Sequence, residues 1–182
     1  LFMEGPRDLA EEGPVRPVRL SELFTADDRT LIVYHFMYSP DMESPCPMCS
    51  MWADGFNGIA HHLEDRVDFA LVASSGISRF RDLARKPGWN GVRLLSSSES
   101  SFNFDLGFED SDGGQWPGVS VFTKTAEGEV LHRYSVSAIL GGEHFRGVDS
   151  LTPVWNLLDL TPEGRGDWMP DLGVLGNPEP VT

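Results

Sequence analysis

The chain has 182 residues, with 14 basic and 28 acidic side chains, two cysteines and 40% hydrophobic residues. This composition suits one folded domain with an apolar core and excludes collagen-like, disordered and disulfide-framework proteins. The formal charge of -14 would repel a phosphate backbone, which disfavours nucleic-acid binding. No apolar run reaches the roughly 18 residues of a membrane span, and the first twenty residues lack a secretory hydrophobic region. We therefore expect a cytoplasmic protein that contacts neither nucleic acid nor membrane.

The first part of the chain predicts an arm, a strand and a helix. Residues 1–20 are polar and contain prolines, so they predict an arm with at most a short helix at 7–12. Residues 30–37 form a continuous apolar run with β-branched and aromatic members, typical of a strand buried on both faces. After a loop, apolar residues recur at steps of three and four from Cys49 onward. This spacing predicts an amphipathic helix that begins at or beside the cysteines.

The second part alternates strand and helix before it ends in a hairpin and a helix. The hairpin strands alternate apolar and polar residues on both sides of a Glu127-Gly128 turn. A parallel βαβ unit followed by antiparallel strands and a covering helix is the order of the thioredoxin fold. The predicted elements are strands at 67–73 and 92–95, a helix at 77–86, hairpin strands at 118–125 and 130–136, and a helix at 150–160.

These elements predict an α/β fold of the thioredoxin-like, three-layer type. A central mixed sheet contains the parallel βαβ unit, and a C-terminal β-hairpin and helix complete it. We divide the chain into an N-terminal arm at 1–20, a thioredoxin-like domain at 21–161 and an irregular tail at 162–182. Trp168 is among the few strong apolar anchors in that tail.

The most informative feature is the sequence Cys46-Pro47-Met48-Cys49. If Cys46 caps the helix and Cys49 lies one turn inside it, the two side chains share a face within reach of a disulfide. Free N–H groups and the helix dipole would favour the Cys46 thiolate, which makes Cys46 the expected nucleophile. Cys49 lies deeper and is the expected resolving thiol. Pro47 suits the first helical turn and stiffens the pair.

The two cysteines have two other interpretations. They could be small buried apolar residues without a redox role, although Cys46 borders a loop and should reach solvent. They could bind zinc, but a tetrahedral site needs four ligands and the chain has no second pair at this spacing. His61 and His62 lie about three helical turns away, too far along the axis to join. We therefore predict no metal site.

Trp116-Pro117 immediately precedes the first hairpin strand, where a proline needs a special reason. A cis bond before Pro117 would place backbone beside the cysteines. We expect Trp116 and cis Pro117 to line a groove in which a substrate lies against Cys46; a plain trans turn is the alternative. Trp52 could wall the same groove, although a position in the core is the favoured interpretation.

Five segments carry a resemblance to a known family: 31–37, 46–56, 102–105, 117–122 and 132–135. The stretch from Ser50 to Phe56 is its most characteristic part. Over roughly residues 19–161 the chain resembles an uncharacterised bacterial family, catalogued as domain of unknown function 899, within the thioredoxin-like fold. The resemblance implies that fold and a dithiol formed by Cys46 and Cys49, and it carries no settled activity.

Two departures from ordinary thioredoxins affect the candidate site. Their central strand carries a buried acid that moves protons beneath the dithiol, whereas this strand has no acid and offers His35. We hypothesise that His35 is the proton shuttle; a core histidine with satisfied hydrogen bonds is the equal alternative. The loop at 38–45 is longer and more like that of a peroxiredoxin. Glu43, however, stands where a peroxiredoxin has a hydroxyl, and its carboxylate would disfavour the thiolate.

We therefore predict a thiol:disulfide oxidoreductase in which Cys46 attacks, Cys49 resolves and no bound cofactor is needed. Its partners would be thiols or disulfides of proteins or small molecules. Two alternatives stay open: a non-catalytic binding module with the same fold, and a thiol peroxidase-like antioxidant. A homodimer through the hairpin edge or the Trp155 helix is a further candidate that the sequence does not decide.

Overall fold

Segments in which apolar residues recur with the period of a strand or a helix form one mixed sheet and the helices that cover it. The computed structural model describes residues 1–138, 151, 153–162, 164 and 166–170. Within them a seven-stranded sheet has the order β2-β1-β5-β4-β3-β6-β7. The strands are β1 (Phe2–Glu4), β2 (Arg16–Val18), β3 (Thr30–His35), β4 (Val67–Ala73), β5 (Arg93–Ser96), β6 (Gly118–Lys124) and β7 (Val130–Ser137); the helices are α1 (Pro47–Glu64), α2 (Ile77–Arg85), α3 (Phe102–Asp105) and α4 (Pro153–Leu158), with a 3₁₀ helix at Leu20–Leu23.

The strand β3 lies at the centre of this arrangement. It pairs in parallel with β4 and antiparallel with β6, and β4 pairs in parallel with β5. The strands β6 and β7 form the antiparallel hairpin. The predicted mixed sheet with a parallel βαβ unit and a later hairpin is thus confirmed. No helix in the described part of the chain is long and apolar enough to cross a bilayer.

Side chains of β3 alternate between two hydrophobic clusters, one on each face of the sheet. Tyr34, and Phe36 one residue beyond the strand, join the cluster that packs against the long helix α1. The same cluster contains both cysteines. Leu31 and Val33 join the cluster on the opposite face. Because successive strand residues point to opposite sides, neighbouring residues of β3 serve different environments.

The prediction that residues 1–20 form an arm is wrong, because this segment contributes β1 and β2 to the sheet. Phe2 is only 1% exposed, and the Glu4 carboxylate accepts bonds from Arg93 at 2.6 Å and Arg16 at 2.7 Å. Three-residue strands are too short to give a periodic signal. The predicted helix at 7–12 is also wrong, since these residues are turns and coil.

The remaining differences lie toward the C-terminus. The short helix α3 lies beyond the serine-rich loop and was not predicted. The final helix is described from Pro153 to Leu158. Residues 139–150 and 171–182 lie outside the described residues, and with them the start of the predicted helix at 150 and the last part of the predicted tail.

Candidate active site: the Cys46 and Cys49 pair

The two cysteines lie at the N-terminus of α1, directly after the loop that leaves the central strand. Cys46 is the N-cap residue and the half-buried Pro47 follows at the first helical position. The backbone N–H of Cys49 donates to Cys46 Sγ at 3.5 Å. Both thiols are free, and the two residues approach to 3.4 Å. A disulfide can therefore close with a small side-chain adjustment.

The two thiols differ in exposure and acidity. Cys46 is 8% exposed and Cys49 is fully buried at 0%. A hydrogen bond from Cys49 and the backbone N–H groups of the first turn lower the pKa of Cys46 to about 7, although burial opposes them. Burial raises the pKa of Cys49 well above its usual value, and neighbouring Cys46 adds to this rise. Near neutral pH the thiolate forms mainly at Cys46, as a nucleophile requires.

Arg79 of α2 holds the loop that leads to Cys46. Its guanidinium donates to four backbone carbonyls of the loop and lies over the ring of Tyr38 at 4.4 Å. The N–H of Cys46 itself donates to Met37 O at 3.2 Å. Sequence reasoning missed Arg79, because forty residues separate it from the loop and no local pattern links them. The four accepting carbonyls are those of Ser39, Pro40, Met42 and Glu43.

His35 does not lie beside the dithiol. It points to the other face of β3, where its Nδ1 lies 2.9 Å from Asn103 Oδ1 and its Nε2 lies 2.9 Å from Ser120 Oγ. Its ring stacks on Phe108 at 3.7 Å. Burial lowers the pKa of His35 to about 4, although the Asn103 bond raises it. The proton-shuttle hypothesis is therefore wrong, and His35 is a core histidine whose polar atoms are satisfied.

The expected cis bond before Pro117 is also wrong, since the described chain contains no cis peptide bond. The carbonyl of Pro117 instead accepts from the N–H of Ala138 at 2.8 Å. This hydrogen bond extends the hairpin ladder by one residue pair beyond Gly118 and Ser137. The Trp116–Pro117 bond is trans, which is the lower-energy form. Trp116 is 41% exposed, so its ring remains accessible to a partner.

Trp52 lies in the core and does not wall a groove. It is 1% exposed, and its ring meets those of Tyr34 and Trp155 edge-on, each with centroids 5.9 Å apart. The groove predicted between Trp52 and Trp116 is therefore absent from the described structure. Trp155, proposed as part of a dimer contact, is likewise buried at 1% exposure.

Tyr34 is a candidate site residue that sequence reasoning missed. It is fully buried in the cluster that also contains both cysteines, and its hydroxyl makes no hydrogen bond of standard geometry within the described residues. Burial raises the pKa of Tyr34 well above its usual value, and Cys49 adds to the rise. The signal was available in the alternation of β3, which sends Tyr34 and His35 to opposite faces.

Solved structures with this architecture include peroxiredoxins. The mitochondrial 2-Cys peroxiredoxin of Plasmodium falciparum is 15% identical over 85% of this chain and 90% of its own, with a TM-score of 0.52. Prx1a of Plasmodium yoelii, modified at its N-terminus, is 14% identical over 86% and 89%, with a TM-score of 0.51. At this identity the likeness establishes a thioredoxin-like fold alone.

A weaker likeness links the chain to the exposed lipoprotein thioredoxin Etrx1 of Streptococcus pneumoniae. The identity is 13% over 82% of this chain and 96% of that one, with a TM-score of 0.48. The comparison with curated proteins gave no match. The model of a bacterial protein family of unknown function, DUF899, matches residues 6–174. Since this match spans most of the sequence, the chain belongs to the DUF899 family.

Proposed function

We propose that the protein is a thiol:disulfide oxidoreductase that works through Cys46 and Cys49. The observation that carries the proposal is the asymmetry of the pair. Cys46 caps α1 with a pKa lowered to about 7, while Cys49 is fully buried one turn away. This is the division of roles that a nucleophilic and a resolving thiol need.

The proposed exchange proceeds in two displacements. The Cys46 thiolate attacks one sulfur of a substrate disulfide, whose S–S bond breaks and whose other sulfur leaves as a thiolate. The Cys49 thiolate then attacks Cys46 Sγ in the mixed disulfide, and the second substrate sulfur leaves with its electron pair. Two electrons pass from the dithiol to the substrate, and the reverse sequence oxidises a substrate dithiol. No bound cofactor takes part, and the partner is a protein or small-molecule thiol or disulfide.

One observation favours a second candidate, a binding module with vestigial cysteines. Cys46 is only 8% exposed, so a substrate sulfur needs some movement of the loop to reach it. The loss of the predicted Trp52 groove weakens this candidate in turn. Peroxidase chemistry has less support, because Glu43 occupies the position at which a peroxiredoxin would have its peroxide-orienting hydroxyl.

The deciding experiment is a redox titration of the pair in glutathione buffers, with free thiols counted by mass spectrometry. A reversible two-electron transition between about -270 and -120 mV would support the oxidoreductase, since working dithiols lie in that range. Cys46→Ser and Cys49→Ser, which cannot close the internal disulfide, are the controls. Thiols that stay reduced and resist alkylation throughout would support the binding module.

We also propose a cytoplasmic location and a homodimer, each with its own test. The candidate dimer contact is β7, which lies at one end of the described sheet. Within the described residues no further strand pairs with its outer edge, so this edge is able to accept a second strand. Light scattering on the purified protein tests the dimer, and a Pro replacement at Ser137, whose N–H faces away from β6, should reduce it. Cell fractionation tests the location.

A further inference from the structure

Tyr34 is a buried titratable group that the two displacements leave without a role. Its side chain is 0% exposed, and its ring packs against Phe56 with centroids 5.1 Å apart. Within the described residues its hydroxyl makes no hydrogen bond of standard geometry. Buried hydroxyls in folded proteins are nearly always bonded, so this one requires an explanation.

The thiol of Cys49 lies on the same side of the sheet as the Tyr34 hydroxyl. Both residues belong to the cluster between β3 and α1. The Tyr34 ring packs against Trp52 and Phe56, which follow Cys49 by one and two turns on the same face of α1. A neutral thiol is a weak partner, whereas a thiolate is a charged and much stronger acceptor. A hydrogen bond from the Tyr34 hydroxyl to Cys49 is therefore weak while Cys49 is a thiol, and it becomes strong when Cys49 is a thiolate.

Cys49 has few other groups to stabilise a charge. It is fully buried, and burial raises its pKa together with the neighbouring Cys46. The groups that oppose this rise are the Tyr34 hydroxyl and the backbone of Met37. The Tyr34 hydroxyl is therefore a side-chain donor available to a thiolate at this position.

We propose that Tyr34 is a catalytic residue that donates a hydrogen bond from its hydroxyl to the Cys49 thiolate. This inference rests on the dithiol exchange proposed above. Charge appears at Cys49 when an incoming thiolate bonds to Cys46 Sγ and the electron pair of the broken internal S–S bond passes to Cys49. It appears again when Cys49 loses its proton to solvent before it attacks a mixed disulfide. In both steps Tyr34 keeps its proton, and no covalent bond to Tyr34 forms or breaks.

The test separates the two displacements with the aromatic disulfide 5,5′-dithiobis(2-nitrobenzoate). Attack by Cys46 releases one coloured thiolate, and resolution by Cys49 releases the second, so one absorbance trace reports both steps. The proteins compared are the wild type, Tyr34→Phe and Tyr134→Phe. Tyr134 lies exposed on β7, so its variant controls for loss of a tyrosine hydroxyl away from the site.

In Tyr34→Phe we expect the first release to keep its rate and its pH midpoint near the Cys46 pKa of about 7. The second release should slow by about 10- to 100-fold, the range that corresponds to one hydrogen bond to a charged group. Its pH midpoint should move upward, because the thiolate of Cys49 has lost a stabilising donor. Tyr134→Phe should match the wild type in both steps.

Three outcomes would overturn the inference. If the second release in Tyr34→Phe matches the wild type, Tyr34 has no catalytic role while the dithiol exchange stands. If both releases slow equally, the hydroxyl acts on packing and not on Cys49. If the wild type releases no second thiolate, the proposed function fails and the role of Tyr34 fails with it.

Discussion

Tyr34 and His35 are adjacent on β3, yet they occupy opposite faces of the sheet and differ in how their polar atoms are bonded. Both ring nitrogens of His35 have partners at 2.9 Å, whereas the Tyr34 hydroxyl has no partner of standard geometry in the described chain. A buried polar group with saturated bonds stabilises the fold. The Tyr34 hydroxyl has no such bond, so it is able to donate to the Cys49 sulfur when that sulfur becomes a thiolate. We therefore expect the His35 face to stabilise the fold and the Tyr34 face to support the proposed dithiol chemistry.

The largest effect that tests this division is the loss of His35. His35→Ala removes a packed ring and leaves Ser120 and Asn103 without their shared partner, so the free energy of unfolding should fall by about 3–4 kcal/mol. Urea denaturation followed by fluorescence measures this change. His62→Ala, at an exposed position in the last turn of α1, is the control and should change little. A small loss in His35→Ala would mean that the network on this face contributes little to stability.

The pH dependence of stability gives the next effect. The pKa of His35 is lowered from 6.5 to about 4, so between these values the unfolded chain binds a proton that the folded chain does not. Stability therefore falls as the pH drops from 6.5 to 4, by about 3 kcal/mol from this residue. Denaturation curves at several pH values should show this slope in the wild type and a flatter one in His35→Gln. Equal slopes in the two proteins would contradict the buried, neutral state of His35.

On the dithiol face, Arg79→Gln should have a moderate effect. The variant loses donors to four loop carbonyls, which water can partly replace because the loop lies at the surface, so stability should fall by about 1–2 kcal/mol. Alkylation of Cys46 should accelerate as the loop loosens. Arg79→Lys keeps the charge but lacks the planar guanidinium. Its stability and its rate of Cys46 alkylation should therefore lie between those of the wild type and Arg79→Gln. Unchanged alkylation in Arg79→Gln would argue that the guanidinium does not limit access to Cys46.

The smallest effect on stability is expected for Tyr34→Phe. Removing a hydroxyl without a standard hydrogen bond should leave the free energy of unfolding within about 0.5 kcal/mol of the wild type. Ser120→Ala deletes one hydroxyl on the opposite face, where it bonds His35 at 2.9 Å and Ser135 at 2.7 Å, and should cost about 1–2 kcal/mol. A similar loss in both variants, measured by urea denaturation, would remove the distinction between the faces.

Sequence patterns predicted the elements that depend on local repetition. The strand at 67–73 matches β4, and the hairpin strands match β6 and β7 to within one residue at each end. The cysteine pair was also placed correctly at the start of α1, because its spacing and its position after an apolar run are both local signals.

Features that depend on contacts between residues far apart in the chain were not predicted from the sequence. Arg79 reaches loop carbonyls far away along the chain, and β1 is defined by its partners and not by its own three residues. His35 was hypothesised to be the proton shuttle because its strand leads to the cysteine loop, whereas the alternation of the strand places it on the face opposite Tyr34. The same alternation, applied to Tyr34, would have directed attention to the residue beside Cys49.

The two N-terminal strands have a consequence for preparing the protein. Strand β1 covers one edge of β5, and its Glu4 is fixed there by Arg93 and Arg16. A fragment cut at the predicted domain boundary, residue 21, would leave the backbone of β5 open on that side. Exposed strand edges recruit other strands, so such a fragment is expected to aggregate where the longer chain does not. Residues 1–20, which the sequence predicts to be an arm, therefore protect one edge of the sheet from pairing with other chains.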